Sequence, residues 1–276
     1  MQITDEAQPD RDGDTGTLGK AMRLLERIVM ADHPLRFTDI LSATGQPRGT
    51  LHRQLSHLVS EGLLSQRSDL TYEPGLRLLT FAHRAWARND LRAVAAPHLA
   101  RLHEETAETV HLGLLRGTEI VYIDKVESRQ TVRMESQVGK TSPVYCTGLG
   151  KAAMTALPEP ERAAIARRVS FRPFTPRTHR SVASLMADLD QVAERGYAFD
   201  EEEHEVEIRC VAAPVSNADL SLVGGVSVTG PAYRISMEQL KAWSPLVVRA
   251  ARAIAQDVAI RMAPRAEAPG LDKGED

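Results

Sequence analysis

The chain has 276 residues, with 34 Lys+Arg against 37 Asp+Glu and only two cysteines. That length suits about two domains of roughly 100–200 residues, and a hydrophobic fraction of 42% excludes wholesale disorder. Two thiols cannot make a disulfide framework and point to the cytoplasm. The five acids and single Arg11 of residues 1–16 argue against a signal peptide, and no apolar run reaches the roughly 18 residues of a membrane span.

Charge divides the chain. Residues 1–16 carry −4; residues 17–89, with ten bases and six acids, carry +4; residues 90–276, with 23 bases and 26 acids, carry −3. A small basic segment joined to a larger acidic one reads as two modules with different partners. The expected organisation is a disordered tail (1–16), a winged helix-turn-helix (17–74), a linker helix (75–92), an effector-binding domain (93–262) and a second disordered tail (263–276).

In chain order, Thr17 is placed to cap a helix with an apolar stripe of Leu18, Met22, Leu25, Ile28 and Val29. A short helix over Thr38–Ala43 follows, closed by Gly45. A third helix starts at Pro47 and ends at Gly62. Its buried stripe is Leu51, Leu55, Leu58 and Val59. The opposite face presents Gln46, Gly49, Thr50, Arg53, Ser56 and His57. That face is short, polar and basic, as a helix entering a major groove requires. Arg48 lies in the first turn, where it and free N–H groups suit phosphate. Residues 63–74 then read as two strands around a polar turn carrying Arg67 and Ser68, which makes the unit a winged helix-turn-helix. A small helical domain with a merely solvated face is the plain alternative. Leu76, Leu79, His83 and Trp86 recur at helical spacing and suit either a dimer seam or packing onto the winged helix.

In the second half, residues 144–152 (VYCTGLGKA) place a Gly-rich helix start after a strand, a position where backbone N–H groups can hold a carboxylate. Val206, Ile208, Cys210 and Ala212 are expected to alternate on one strand face, with Glu207 and Arg209 on the other. After a turn at residues 216–219, Gly225, Ser227 and Thr229 share a face. A buried hydroxyl pair needs partners, either local or from a ligand.

Residues 44–55 (TGQPRGTLHRQL) resemble the recognition helix of the IclR family of bacterial transcription regulators. VYCTGLGKA, GYAFDEEE (196–203), RCVAAPV (209–215) and GVSVTGP (225–231) are similar to that family's effector-domain motifs, in the same order. The likeness runs from Leu18 to Met262. It implies an α+β protein with an N-terminal winged helix-turn-helix, a dimerising helical linker and a GAF-like effector domain built on a curved antiparallel sheet. Such a protein binds operator DNA as a dimer or dimer of dimers and answers to a small organic ligand. Here that means a repressor of a catabolic operon, with no catalytic residues, metal or cofactor. The implied DNA contacts are Gln46, Arg48, Gly49, Thr50, His52, Arg53, Arg67 and Ser68, with Thr50, His52 and Arg53 reading bases. Gly49 stands where the family often has Ser. The implied effector contacts are Gly148, Leu149, Asp200, Cys210, Ser227 and Thr229, suited to a small hydroxy- or keto-acid.

Other readings remain. Cys210 could be a nucleophile with His204 or His111 as base, making the α/β domain an enzyme or binding protein with a helical adaptor, but no Cys motif surrounds it. Cys146 and Cys210 could form a redox sensor. His98, His103 and His111 lack tight metal spacing, and the acidic run 200–203 could bind a cation but reads more simply as a solvated face.

Overall fold

The computed structural model describes residues 16–87, 90–130, 136–218 and 221–262. Residues 1–15 and 263–276 of the two expected tails, the side chains of His83 and Trp86 in the expected seam, and Asp219 of the expected turn lie outside the described residues and side chains. The chain separates into two compact units, Met1–Asn89 and Asp90–Asp276.

The first unit runs α1 (Gly16–Val29), β1 (Leu35–Arg36), α2 (Phe37–Thr44), α3 (Arg48–Ser60), β2 (Leu64–Gln66), β3 (Thr71–Pro74) and α4 (Leu76–Ala87). Its antiparallel sheet has the order β1-β3-β2. Gly45, at φ 61°, ends α2 in the left-handed conformation, and its N–H donates to the Leu41 carbonyl. That sharp stop lets α3 start three residues later. The core joins Leu24, Leu25 and Ile28 of α1, Ile40 of α2, Leu51, Leu55 and Leu58 of α3, and Leu64 and Tyr72 of the wing. The α1 stripe is therefore rotated from the expected one: Leu18 and Met22 are exposed, and Leu24 takes their place. At 100° per residue the packed arc of Leu24, Leu25 and Ile28 is centred well away from Met22, and Leu18 lies in the first turn, before the packed residues begin.

The second unit runs α5 (Asp90–Thr106), β4 (Thr109–Arg116), β5 (Glu119–Val126), β6 (Thr141–Pro143), α6 (Gly148–Thr155), α7 (Glu159–Arg167), α8 (Val182–Arg195), β7 (Ala198–Glu201), β8 (Ile208–Asn217), β9 (Leu222–Pro231) and α9 (Met237–Met262). All pairings in its six-stranded sheet, ordered β6-β5-β4-β9-β8-β7, are antiparallel. One face packs Val110, Leu112, Val211, Ala213, Val226 and Val228 against Leu99 and Leu102 of α5 and Val247, Ile254 and Val258 of α9. The other face carries Ile120, Cys210 and Ala212 under α6 and α8. Each fully buried Leu, Ile or Val in these layers contributes about 1.5–3 kcal/mol.

Within the expected linker helix (75–92), α4 runs to Ala87 and α5 begins at Asp90, with Leu91 buried in the second unit's core; residues 88–89 lie outside the described residues. A difference from expectation lies at β8, which begins at Ile208. Val206 is exposed and Glu207 has φ 63°, so both belong to the preceding turn rather than to the alternating strand.

Candidate DNA-binding and effector sites

Helix α3 buries Leu51, Leu55 and Leu58 and leaves Arg48, Gly49, His52, Arg53, Ser56 and His57 exposed, with Thr50 half-buried. Pro47 precedes the helix, and its carbonyl accepts from the Thr50 and Leu51 N–H groups. Nothing lies within 4 Å of where a Gly49 Cβ would stand, so packing does not demand glycine there. Its smallness instead allows close approach to another molecule. The Arg48 guanidinium sits 5.3 Å over the Phe37 ring, which orders it at the N-terminal end of the helix. Gln46 departs from the expectation. It lies in the turn before α3, half-buried, with Oε1 buried and accepting no hydrogen bond, so it is not on the exposed helix face.

The wing is a tight turn between β2 and β3. Asp69 Oδ1 accepts from the Thr71 N–H and hydroxyl at 3.2 and 2.6 Å. The Arg67 N–H donates to the Thr71 carbonyl, and Leu70 takes a left-handed conformation at φ 65°. Arg67 and Ser68 are exposed at the tip. Arg67 pairs with Glu73 at 3.2 Å across solvent. Such an exposed pair is weak, about 0–1 kcal/mol, and a phosphate can replace it.

In the second unit, strand register brings the expected effector residues together. Asp200, Cys210 and Thr229 are successive partners across β7, β8 and β9, and Ala212 pairs with Ser227 in the next row. Helix α6 lies on this face. A Cβ on Gly148 would stand 2.9 Å from Cys210 Sγ and 3.3 Å from the Asp200 nitrogen, so glycine is required for the helix start to touch the sheet. Leu149 packs over Gly113 and Gly225, where added Cβ atoms would meet its methyl carbons. Thr147 caps α6: its Oγ1 accepts from the Gly150 N–H, and its carbonyl accepts from the Lys151 N–H. Gly148 and Leu149, in the first turn, have no acceptor within the helix. All six expected effector residues are buried.

The electrostatics of this centre are set by burial. Desolvation first, then the neighbouring Glu203 charge, raises the Asp200 carboxyl to about 8, while its Oδ1 accepts from the Glu203 N–H at 2.8 Å. Burial, followed by Asp200, raises the Cys210 thiol to about 12, and burial pushes Cys146 up as well. Both thiols are free and buried. Such thiols carry little thiolate and are poor nucleophiles.

The N-terminal segment matches the model of the IclR helix-turn-helix domain over residues 17–68, and residues 83–256 match that of the bacterial transcriptional regulator IclR C-terminal domain. The chain belongs to the IclR family of bacterial transcription regulators. Among curated relatives, the HTH-type transcriptional regulator XynR of Escherichia coli K12 is 33% identical over 80% of this chain and 88% of its own length. The acetate operon repressor of Salmonella typhimurium LT2 is 29% identical over 88% of this chain and 89% of its own. The solved IclR homolog from Microbacterium hydrocarbonoxydans, complexed with 4-hydroxybenzoate, superimposes with a TM-score of 0.72 at 22% identity, over 89% of this chain and 100% of that one. That last likeness is one of fold. Winged helix and effector domain are thus those of an IclR regulator, and the relatives act as regulators rather than enzymes. No described helix is long and apolar enough to cross a membrane.

Sequence reasoning missed several neighbours of the candidate effector residues. His111 of β4 pairs with Ser227, and Tyr122 of β5 with Gly113. Their rings stack at 5.1 Å. Tyr122 accepts from Ser142, and His111 Nε2 shares a hydrogen bond of 2.6 Å with Ser136 Oγ. The available signal was β4's alternation, which places His111 and Gly113 on one face. Lys151 was missed as well: it is 1% exposed, between Asp188 at 2.7 Å and Glu203 at 2.5 Å.

Proposed function

We propose that this IclR-family regulator represses a catabolic operon in the bacterial cytoplasm by binding operator DNA. A small organic acid, bound beneath the N-terminus of α6, modulates that binding. The observation that carries this reading is the convergence of Gly148, Leu149, Asp200, Cys210, Ser227 and Thr229 on one buried spot, with two first-turn N–H groups available to a carboxylate. Asp200 and the Ser227 and Thr229 hydroxyls suit hydroxyl or keto oxygens on the same ligand. The fold relative solved with 4-hydroxybenzoate carries an acid of this chemical class, and the acetate operon repressor supports the direction of control.

On the DNA side, Thr50, His52 and Arg53 read bases. Arg48 and the wing residues Arg67 and Ser68 hold phosphates, and Gly49 lets the backbone approach. The exposed Leu76 and Leu79 of α4, from the expected seam, are apolar contacts for dimerisation, and a dimer or dimer of dimers would read successive half-sites. A surplus of only +4 in residues 17–89 makes non-specific affinity weak and salt-sensitive, so tight binding depends on pairing and base contacts.

Gel-shift assays on DNA upstream of the protein's own gene test the first half. Arg53→Ala should cost about 1–3 kcal/mol and relax base preference, and Arg67→Ala should weaken all sequences alike. Equal losses on operator and random DNA for Arg53→Ala would overturn the base-reading role. Titration calorimetry with a panel of hydroxy-, keto- and hydroxybenzoic acids tests the second half. Saturable binding that Asp200→Ala abolishes is expected; an unchanged affinity would remove Asp200 from the site.

A further inference from the structure

Among the described residues, one group of side chains has metal-ligand geometry, and it lies outside the effector site. His179 precedes α8, Asp188 lies on α8 and Glu203 follows β7. His179 Nε2 is 3.4 Å from Asp188 Oδ2 and 3.5 Å from Glu203 Oε2, and the three ligand atoms all lie within 4.8 Å of one another. A charge-assisted hydrogen bond from an imidazolium would close to about 2.7–2.9 Å. In a tetrahedral site with metal–ligand bonds of about 2.0–2.2 Å, ligand atoms stand about 3.3–3.6 Å apart. The two His179 spacings, of which that to Asp188 is also a long hydrogen bond, fall in the second range.

Two further features point inward. Glu203 is 8% exposed, yet its Oε2 accepts no hydrogen bond. The residue cannot turn away to find a partner. Lys151 holds Oε1 at 2.5 Å, the Glu203 N–H donates to Asp200, and the Thr178 hydroxyl donates to the Glu203 carbonyl at 2.6 Å. A buried carboxylate oxygen left unsatisfied is destabilising, and a ligand at this point removes that cost. The imidazole is oriented too: Nδ1 is engaged by Ser184 Oγ at 2.7 Å, which aims Nε2 at the carboxylates. This is the outer-sphere arrangement that orients metal-ligating histidines. A cleft lined by Arg177, Ser184, Gln191 and Glu201 opens onto the three groups.

We propose that His179 Nε2, Asp188 Oδ2 and Glu203 Oε2 form a divalent metal site, with Zn2+ as occupant and water at the fourth position. One imidazole and two carboxylates suit a borderline first-row cation better than Mg2+ or Ca2+, which take oxygen ligands alone. Lys151 sets the strength. Its ammonium shares Asp188 Oδ2 at 2.7 Å, so affinity falls short of that of a closed structural zinc site. The metal would tie α8 to the turn that follows Asp200 and β7, coupling a cation to the effector unit without entering its pocket.

The test uses full-length protein stripped of metal and titrated with Zn2+ by calorimetry, with thermal unfolding read in parallel. Wild type should bind one Zn2+ per chain and gain melting temperature. His179→Ala should lose at least tenfold in affinity along with the thermal gain, while Cys146→Ser keeps both. His179→Gln, which fills the same space and can still hydrogen-bond, should bind as weakly as His179→Ala and guards against a folding defect. Co2+ in place of Zn2+ should give weak visible bands without the intense near-ultraviolet charge transfer of a thiolate ligand. No saturable binding by wild type up to about millimolar Zn2+, wild-type affinity in both His179 variants, or a thiolate signature would each overturn the proposal.

Discussion

Acid should cost the effector unit stability through His111. The ring is 2% exposed on β4, stacked on Tyr122 and held by Ser136. Burial, and secondly the Lys125 charge, lowers its pKa from 6.5 to about 3. The unfolded chain binds the proton near pH 6.5 and the folded chain resists it until about pH 3, so between those values the unfolded state holds more protons and stability falls as pH falls. At about 1.4 kcal/mol per pKa unit, the full gap corresponds to about 5 kcal/mol. About 2 kcal/mol of that is already lost on going from pH 7.5 to pH 5. Trp243 packs against this unit's core, so its fluorescence in a Trp86→Phe background follows urea unfolding there. His111→Gln removes the titrating group, so the stability gap between the two proteins should change by about 2 kcal/mol from pH 7.5 to pH 5; Asp200, whose raised pKa favours the folded state as pH falls, contributes equally to both curves. Parallel curves for the two proteins would refute the assignment.

Gly148→Ala should cost about 1–3 kcal/mol by overpacking, because its Cβ would stand 2.9 Å from Cys210 Sγ. Cys210→Ala in the same chain should restore part of that loss, and additive losses in unfolding experiments would contradict the contact. Arg234→Ala should destabilise by about 3–5 kcal/mol, since its Nε and NH2 both bond the carboxylate of Glu108, a residue 4% exposed; a change under 1 kcal/mol in urea would count against it. Mild peroxide should leave operator binding intact, because burial holds both thiols protonated. A reductant-reversible loss in gel shifts, absent from Cys→Ser variants, would instead favour the redox reading.

Local chemistry and motif order carry much of this protein. The Gly45 stop, the Leu51-Leu55-Leu58 stripe, the polar face of α3 and the turn between Arg67 and Leu70 depend on neighbours a few residues apart, and the sequence alone determines them. The same holds for the alternation that puts Ser227 and Thr229 on one strand face, and for the split of charge between modules. Tertiary structure decided what depends on distant partners. The packed α1 face uses Leu24 rather than Leu18 and Met22, because α3 and the wing select which side is covered. A left-handed residue at Glu207 removes Val206 from β8. Gln46 falls in a turn rather than on a helix face. The antiparallel register carries Asp200, Cys210 and Thr229 into one row from segments up to 29 residues apart in the chain. Burial, which no residue reports by itself, raises Asp200 and lowers His111. His179, Asp188 and Glu203 have no common spacing to read; only the packing of α8 against the turn after β7 brings their ligand atoms together.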